Sequence, residues 1–365
     1  MKRNQAYNRL VIKVGTNVLS TDDGLLDEDS LTNLVQQITK LKTSGIEIIL
    51  ISSGAVGAGR GIFKPQRNLS RVKRRQLLAS IGQPILLNRY LDLFRAAGLH
   101  VAQILATKED FRDRHHYLNM RNCFEALMTE NVVPIVNEND VIAIDELMFT
   151  DNDELAALVA SMIDADAMIV LTNVDGVYDG DPRRGEARLI REVQVQDDAQ
   201  NVKFSQQKSS FGRGGMHTKF RVSKKLAKTG IHVHISNGRK ERVILDIVNG
   251  NLHGTHFVGQ KNVSPLKKWI AYQEENGRAS VVVNAGAKEA LQDPSFARSL
   301  LPIGISEIQG EFSKGDVIKL LDEKGQLLAL GLAQYNAETA KKYMGQKGHK
   351  ALVHYDYLYL TEEND

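Results

Sequence analysis

The feature that most constrains this chain is the alternation of short β-branched runs with helical patterns from its start to Ile235. Between the first two runs, apolar residues recur at helical spacing from Leu31 to Leu41, and Asp27 or Asp29 could cap that helix. Strands that alternate with helices favour an α/β fold, a mostly parallel open sheet sandwiched by helices. The predicted strands are Leu10–Val14, Ile46–Ile51, Val101–Leu105, Val132–Val136, Met168–Leu171 and His232–Ile235.

After residue 277 the pattern changes to short apolar runs separated by turn signals, which predict a small β-rich domain. Only Ala337–Met344 is predicted to be helical there. We therefore predict a first domain at 1–261, a linker at 262–277 and a second domain at 278–365. The predicted strands of the second domain are Val281–Val283, Ile305–Ile308, Val317–Leu321, Leu327–Leu332 and Ala351–Val353.

Composition indicates the class of protein and its compartment. Apolar residues make up 42% of the 365 residues, enough for a substantial core. The single cysteine, Cys123, excludes an internal disulfide framework, fits a reducing compartment and is predicted to be a buried structural thiol. The sequence has neither a signal-peptide core nor an apolar run of membrane-spanning length, so we expect a cytoplasmic protein.

Charge is distributed unevenly, although the net charge is only +3. The stretch from Ala55 to Leu91 holds eight lysines and arginines and no acidic residue. A nucleic-acid patch is one interpretation, and attraction of anionic substrates is another. We favour a solvated helix face or a subunit contact, because that is what charge runs usually are.

The first predicted strand carries Lys13 near its end, shortly before a glycine turn at Gly15. Burying a lysine in an apolar strand is costly without a partner, and the first strand of a β-α-β unit usually lies inside the sheet. Gly15 would let backbone amides approach an anion closely. An exposed edge is the alternative for Lys13, and phosphate binding is the hypothesis we favour.

Ligands bind at the carboxyl ends of parallel strands, so the loops that follow strands are the next candidates. The second strand runs into small residues that include Ser53 and Gly54, where a helix start could present N–H groups to an anion; a flexible turn is the alternative. The fourth strand runs into the polar segment Asn137–Asp140. Helix capping accounts for one polar residue of Asp151–Asp153 and leaves the others for a ligand.

A glycine-rich loop from Gly212 to Lys219 opens onto a predicted helix. It lacks the residue order of a P-loop and is a weak signal by itself. Glycines followed by a lysine at a helix start nevertheless suit a polyphosphate. Thr172 and Asn173 follow the fifth predicted strand.

Together these segments resemble the amino acid kinase family over nearly the whole chain. Val11–Leu19 resembles its opening strand with the phosphate lysine, and Ser52–Ala55 resembles its substrate loop. Val136–Asp140 with Asp151–Asp153 resembles segments that bind glutamate, and Arg213–Lys219 resembles the loop that grips the phosphates.

The resemblance implies ATP-dependent phosphorylation of the γ-carboxylate of glutamate, the first step of proline biosynthesis. Lys13, Lys219 and Asp153 would be catalytic, with the two lysines stabilising the transferring phosphoryl group and Asp153 holding both ammonium groups. Gly15 and Gly54 would contribute backbone N–H groups. Mg²⁺ would bridge the phosphate oxygens of ATP, and no side chain is assigned to a metal.

The resemblance also assigns binding residues, and Asp140 would hold the α-ammonium group of glutamate. The residues at the substrate would be Ser53, Gly54, Asp140 and Asn152. Those at the nucleotide would be Lys13, Gly15, Thr172, Asn173, Arg213, Gly214, Gly215, Met216, His217, Thr218 and Lys219. The chain departs from the family pattern at Asn173, Arg213 and His217.

The second domain resembles a PUA module through segments such as Gly310–Asp316 and Gly331–Tyr335. Such modules often bind RNA, but residues 278–365 hold 10 basic and 12 acidic residues, a poor footprint for nucleic acid. The expected partners are therefore glutamate and ATP, with a homo-oligomer and a separate glutamyl phosphate reductase, and neither RNA nor a membrane.

Two alternatives remain open. A kinase of the same fold could act on aspartate, carbamate or a nucleoside monophosphate, although Asp140 suits a substrate with a free ammonium group. An RNA-binding regulator dominated by the PUA-like domain is the alternative from another class, and the charge count speaks against it.

Overall fold

The computed structural model describes residues 6–142, 152–180, 187–194, 215–260, 264–271, 273, 279–293 and 298–361. Contacts within the chain divide it into two units, Met1–Asn262 and Val263–Asp365. Each unit has its own sheet and its own apolar core.

The described part of the first unit contains an eight-stranded sheet. Its strands are β1 (Arg9–Val14), β2 (Glu47–Ser52), β3 (Val101–Ala106), β4 (Val133–Glu138), β5 (Ala167–Thr172), β6 (Glu192–Val193), β7 (His232–Asn237) and β8 (Thr255–Phe257). Their spatial order is β3-β4-β2-β1-β5-β7-β8-β6, and every pairing is parallel except that of β7 with β8. The predicted mostly parallel sheet is confirmed, as are all six predicted strands; the short β6 and β8 were not predicted.

Helices connect these strands, as in other α/β folds. They are α1 (Glu28–Thr43), α2 (Ala55–Ile62), α3 (Arg71–Ala96), α4 (Lys108–Arg112), α5 (Arg114–Thr129), α6 (Asn152–Met162), α7 (Met216–Lys228) and α8 (Val243–Val248). The predicted cap of α1 is Asp27, whose carboxylate accepts hydrogen bonds from the N–H groups of Asp29 and Ser30.

The period of two along a strand decides which side chains of β1 reach which layer. Leu10, Ile12 and Val14 join the apolar cluster that also contains residues of α1, α3 and α8. Lys13 therefore points to the opposite face of the sheet, where α6 packs on β1. Because β1 lies between β2 and β5, the lysine is inside the sheet and not on an exposed edge.

Two glycines allow α2 and α3 to cross at backbone contact. A Cβ on Gly59 would lie 2.0 Å from the carbonyl oxygen of Leu78, and one on Gly82 would lie 1.7 Å from that of Ala55. Real Cβ atoms essentially never approach so closely, so the crossing requires glycine at both positions. This crossing fixes the start of α2 at the carboxyl end of β2.

The second unit contains a five-stranded sheet in its described part. Its strands are β9 (Ser280–Val283), β10 (Ile305–Gln309), β11 (Val317–Leu321), β12 (Leu327–Leu332) and β13 (Leu358–Leu360), in the order β10-β9-β11-β12-β13. Its helices are α9 (Pro265–Ala271), α10 (Ala285–Gln292) and α11 (Ala337–Tyr343). The predicted β-rich character is confirmed, and α9 lies inside the segment predicted as a linker.

Three sequence predictions are wrong. Ala351–Val353 is not a strand: Val353 makes a single bridge to Leu300, and the last strand is β13. Ala337–Met344 is not the only helical segment of this unit, since α10 begins after Asn284, whose side chain accepts from the N–H of Ala287. Cys123 is exposed on α5 and is not a buried thiol.

No helix in the described part of the chain combines the length and the apolarity that a membrane span requires.

Candidate active site

Two buried lysines meet one aspartate behind the carboxyl ends of β1 and β5. Lys13 Nζ lies 2.7 Å from Oδ1 of Asp153, and Lys219 Nζ lies 2.7 Å from Oδ2 of the same carboxylate. The Asp153 side chain is 1% exposed, and those of Lys13 and Lys219 are 3% and 11% exposed. The cluster therefore holds two ammonium groups in a nearly dry place, where charged groups interact more strongly with an anion than they do in water.

Each member of this cluster comes from a different element. Lys13 is the fifth residue of β1, Asp153 is in the first turn of α6 and Lys219 is in the first turn of α7. Gly215 is the N-cap of α7 and, as a glycine, has no side chain that could cap the first N–H groups of the helix. The start of α7 therefore brings a helix N-terminus close to the two lysines, a favourable place for phosphate.

Gly15 lies beside Lys13, and its N–H group has a hydrogen-bond partner within the chain. Its N–H donates to the carbonyl oxygen of Leu171 at 3.0 Å, so this amide already serves the contact between β1 and β5. A Cβ at Gly15 would lie 3.6 Å from Lys13 Nζ and 3.2 Å from Leu171 O. The N–H of Gly15 is thus bonded within the chain, the predicted contact of Gly15 with a phosphate stays a prediction, and the glycine leaves space beside the Lys13 ammonium group.

The loop after β2 turns sharply into α2. Gly54 has a φ of 113°, in the left-handed region that favours glycine, and it is the N-cap of the helix. The hydroxyl oxygen of Ser53 accepts a hydrogen bond from Nδ2 of Asn152 at 3.0 Å. The predicted helix start after Gly54 is confirmed, and Ser53 contacts the first residue of α6.

A chain of side-chain amides continues from Asn152 across the sheet. Asn152 Nδ2 also donates to Oδ1 of Asn137 at 3.0 Å, and Asn137 Nδ2 donates to Oε1 of Gln83 at 2.9 Å. Asn137 lies in β4 and is 5% exposed, and Gln83 lies on α3. This amide network joins β2, α6, β4 and α3 at one edge of the sheet, and its oxygens and N–H groups fix one another's orientation.

Beyond Asn137 the same loop carries two carboxylates held by one arginine. Arg75 Nε donates to Oδ1 of Asp140 at 2.7 Å, and its Nη2 lies 2.6 Å from that oxygen and 3.2 Å from Oε2 of Glu138. Glu138 and Asp140 are 3% and 7% exposed. This cluster places two carboxylates together, whereas the lysine cluster places two ammonium groups together.

The residues after β5 form a separate polar group. Thr172 is buried at the end of β5, its hydroxyl lies 3.4 Å from Oδ1 of Asn173, and Asn173 itself is exposed. Nearby, Asp175 accepts from Lys240 and Asn237, and the bond from Lys240 holds the pKa of Asp175 below its usual range. These groups surround the strand end that the sequence assigned to the nucleotide.

The structure therefore brings some predicted residues together and leaves others apart. Lys13, Asp153 and Lys219 meet, and Ser53 meets Asn152, whereas Asp140 sits with Arg75. Met216, His217 and Thr218 share the first turn of α7 with Lys219. Arg213, Gly214 and Asp151 lie outside the described residues.

Sequence reasoning missed three residues of this site. Asn137 was noticed only as part of a polar run, Gln83 carried no signal, and Arg75 was included in a basic stretch that we expected to be solvated. That expectation is wrong for Arg75, whose side chain is 30% exposed and bound to two carboxylates. The signal that could have found it is the pairing of that basic stretch with the acidic run after β4.

Among the described residues, no group of three or more His, Cys, Asp or Glu side chains could hold a metal ion. Both oxygens of Asp153 face lysine ammonium groups.

The comparisons with known proteins agree with this fold. Residues 8–237 match the model of the amino acid kinase family, and residues 279–355 match that of the PUA domain. The chain therefore belongs to the amino acid kinase family, as its motifs predicted.

Its full-length relatives are more specific. The glutamate 5-kinase of Chlorobaculum tepidum is 48% identical over 363 residues, covering 97% of this chain and 98% of the relative. That of Bacteroides thetaiotaomicron is 45% identical over 359 residues, covering 98% and 99%. The carbamate kinase from Giardia lamblia bound to AMP-PNP shares the fold, with a TM-score of 0.51 and 17% identity over 70% of this chain and 99% of that chain.

Proposed function

We propose that this chain transfers the terminal phosphoryl group of ATP to the γ-carboxylate of L-glutamate, giving glutamyl 5-phosphate, the first step of proline biosynthesis. The observation that carries the proposal is a site with opposite charges at its two ends. At one end the ammonium groups of Lys13 and Lys219 flank Asp153, and at the other end the carboxylates of Glu138 and Asp140 flank Arg75. The full-length similarity to glutamate 5-kinases supports the same reaction.

The amide network connects the two ends of this site. Asn152 is the neighbour of Asp153 in the chain, and Asn137 is the neighbour of Glu138. The hydrogen bond between Asn152 and Asn137 thus fixes the positive end relative to the negative end. An amino acid with its side-chain carboxylate towards the lysines and its α-ammonium group towards Asp140 would match both charges.

The chemistry requires little from the protein beyond position and charge. The γ-carboxylate of glutamate is ionised at neutral pH, because its reference pKa is about 4.3, and it can attack the phosphorus without a general base. Lys13 and Lys219 would stabilise the charge that develops on the transferring phosphoryl group, with Asp153 holding both ammonium groups. The first turn of α7 would present N–H groups to the phosphates.

Mg²⁺ would be held chiefly by the phosphate oxygens of ATP, since the described side chains offer no carboxylate cluster for it. Bound there, it would neutralise charge between the phosphates.

We further propose that the protein works in the cytoplasm as a homo-oligomer, and that a separate reductase consumes the labile acyl phosphate. The single thiol, exposed at Cys123, fits a reducing compartment. RNA is not proposed as a partner, given the acidic balance of the second domain.

The proposal is tested by measuring ADP release from the purified chain with each of a panel of free amino acids, carbamate and nucleoside monophosphates. We expect ADP release with glutamate. Silence with glutamate, or greater turnover of aspartate, carbamate or a nucleoside monophosphate, would contradict it.

Asp140→Ala should raise the KM for glutamate by about 10–100-fold, because a charge-assisted hydrogen bond to the α-ammonium group contributes roughly 1.5–3 kcal/mol. The KM for ATP should change less than about twofold, since the ammonium group is remote from the phosphates. Asp92→Ala, an exposed carboxylate on α3, is the matched control and should leave both KM values unchanged. If Asp140 only stabilises its loop, the melting temperature will fall while the KM for glutamate stays at its original value.

A further inference from the structure

Arg75, in the basic stretch on α3, reaches the acidic residues at the end of β4 and in the loop that follows it. Its Nε and Nη2 both end on Oδ1 of Asp140, at 2.7 and 2.6 Å, and Nη2 also lies 3.2 Å from Glu138. The next residue of α3, Gln76, donates from Nε2 to the carbonyl oxygen of Val141 at 3.1 Å. Helix α3 therefore holds this loop by two consecutive side chains.

Without the guanidinium, two largely buried carboxylates two residues apart would lose the cation that contacts both of them, and their mutual repulsion would increase. The pair would then separate, bind solvent cations or share a proton. Each of these responses would turn the Asp140 carboxylate away from its present position or neutralise it. A carboxylate that must receive an ammonium group has to be both ionised and fixed in direction.

Arg75 Nε donates a hydrogen bond to Oδ1 of Asp140, and Nη2, which donates to Glu138, also lies in ion-pair contact with that oxygen. Among the described residues, none donates a hydrogen bond to the other oxygen, Oδ2. That arrangement fixes the plane of the carboxylate through Oδ1 and leaves Oδ2 as an acceptor for a ligand. The Nε and Nη2 groups of Arg75 are directed at carboxylates of the protein, so its contribution to binding is expected to pass through Asp140.

We infer that Arg75 is a positioning residue that sets the affinity for the α-ammonium group of the amino acid substrate by orienting Asp140 and balancing its charge against Glu138. The inference rests on the proposed function, since it concerns the amino acid site of that reaction. It adds a specificity determinant from α3, the helix that also contributes Gln83 to the amide network.

The experiment is a double-mutant cycle on the full-length chain, with Arg75→Met, Asp140→Ala and the double variant. Arg75→Met should raise the KM for glutamate about tenfold, and leave kcat and the KM for ATP within about twofold. In the Asp140→Ala background the same change should raise the KM for glutamate by less than about twofold, because the residue through which it acts is gone. Arg74→Met, an exposed arginine beside it on α3, is the matched control and should have no effect.

Equal increases in both backgrounds would show that Arg75 contacts the substrate directly and would overturn the inference. So would an Arg75→Met protein that behaves like Arg74→Met. If Arg75→Met does not fold, the cycle is run with Arg75→Lys, which keeps the positive charge but lacks the several N–H donors of the planar guanidinium group. For Arg75→Lys, a rise of about threefold in the KM for glutamate that disappears in the Asp140→Ala background supports the inference. A rise that persists in that background overturns it. If the wild-type chain releases no ADP with glutamate, the proposed function is wrong, and the inference that rests on it is wrong as well.

Discussion

Replacing Lys13 with methionine should lower kcat by about 10²–10³-fold, and replacing Lys219 with methionine should do the same, the usual scale for losing one preorganised charge stabiliser. Methionine keeps the apolar stem of each side chain, so the packing of β1 and α7 is largely retained. Because Asp153 contacts both ammonium groups, each variant leaves the other ammonium group in contact with it. The effect should therefore fall on the chemical step, with a smaller effect on the KM for ATP.

Lys42→Met is the matched control for loss of a buried lysine. Lys42 is 5% exposed on α1, where burial lowers its pKa, and it has no place in the site. Its kcat should stay within about twofold of wild type, whatever happens to the melting temperature. Steady-state kinetics of the three variants decide the matter: a raised KM for ATP with an unchanged kcat would make Lys13 or Lys219 a binding group only.

Much of the first unit could be predicted because its signals are strong and local. Parallel strands covered on both faces are continuous apolar runs, and β4 and β5 are buried at all six positions. Lys13 stands out from the sequence because it is a charged residue inside such an apolar run. Glycines and polar residues at strand ends then locate the edge of the sheet where chemistry is possible.

The parts that escaped prediction depend on contacts between distant segments. The role of Arg75 depends on its contacts with Glu138 and Asp140, and that of Gln83 on its contact with Asn137. In each contact the two residues are more than 50 positions apart in the chain. From the sequence, the N–H of Gly15 could donate to a phosphate or to a neighbouring strand. In the structure it donates to Leu171, which is in β5 beside β1. Helix α10 has a weak apolar face that a local pattern does not reveal, with Leu291 as its single buried residue.

The second unit shows the same limit for strands. Ala351–Val353 is apolar and buried at its last two positions, as a strand would be, yet it forms only an isolated bridge. Burial alone produces the same pattern in a packed loop as in a ladder. The strand that does pair with β12 is Leu358–Leu360, whose last residue is 45% exposed.

Gly82→Ala should be the most destabilising of the variants considered, because α2 and α3 cross at backbone contact there. The added Cβ would lie 1.7 Å from Ala55 O and 2.4 Å from the nitrogen of Gly59, both backbone atoms that cannot rotate away. Alanine favours a helix over glycine by about 1 kcal/mol, but overpacking against rigid backbone should outweigh this and cost about 3 kcal/mol net. For a unit of this size that corresponds to a melting temperature lower by roughly 5–10 °C.

The same displacement should reach the active site. Ala55 is the first residue of α2 and follows Gly54 and Ser53, so a helix pushed away from α3 moves the loop that contacts Asn152. The KM for glutamate should rise together with the fall in melting temperature.

Gly61→Ala is the matched control on α2: its Cβ would meet only Leu25 Cδ2 at 3.7 Å, an ordinary contact. That variant should keep its KM and gain up to about 1 kcal/mol. Thermal unfolding and glutamate kinetics of both variants test the crossing, and a Gly82→Ala protein as stable as Gly61→Ala would mean that the helices do not approach this closely.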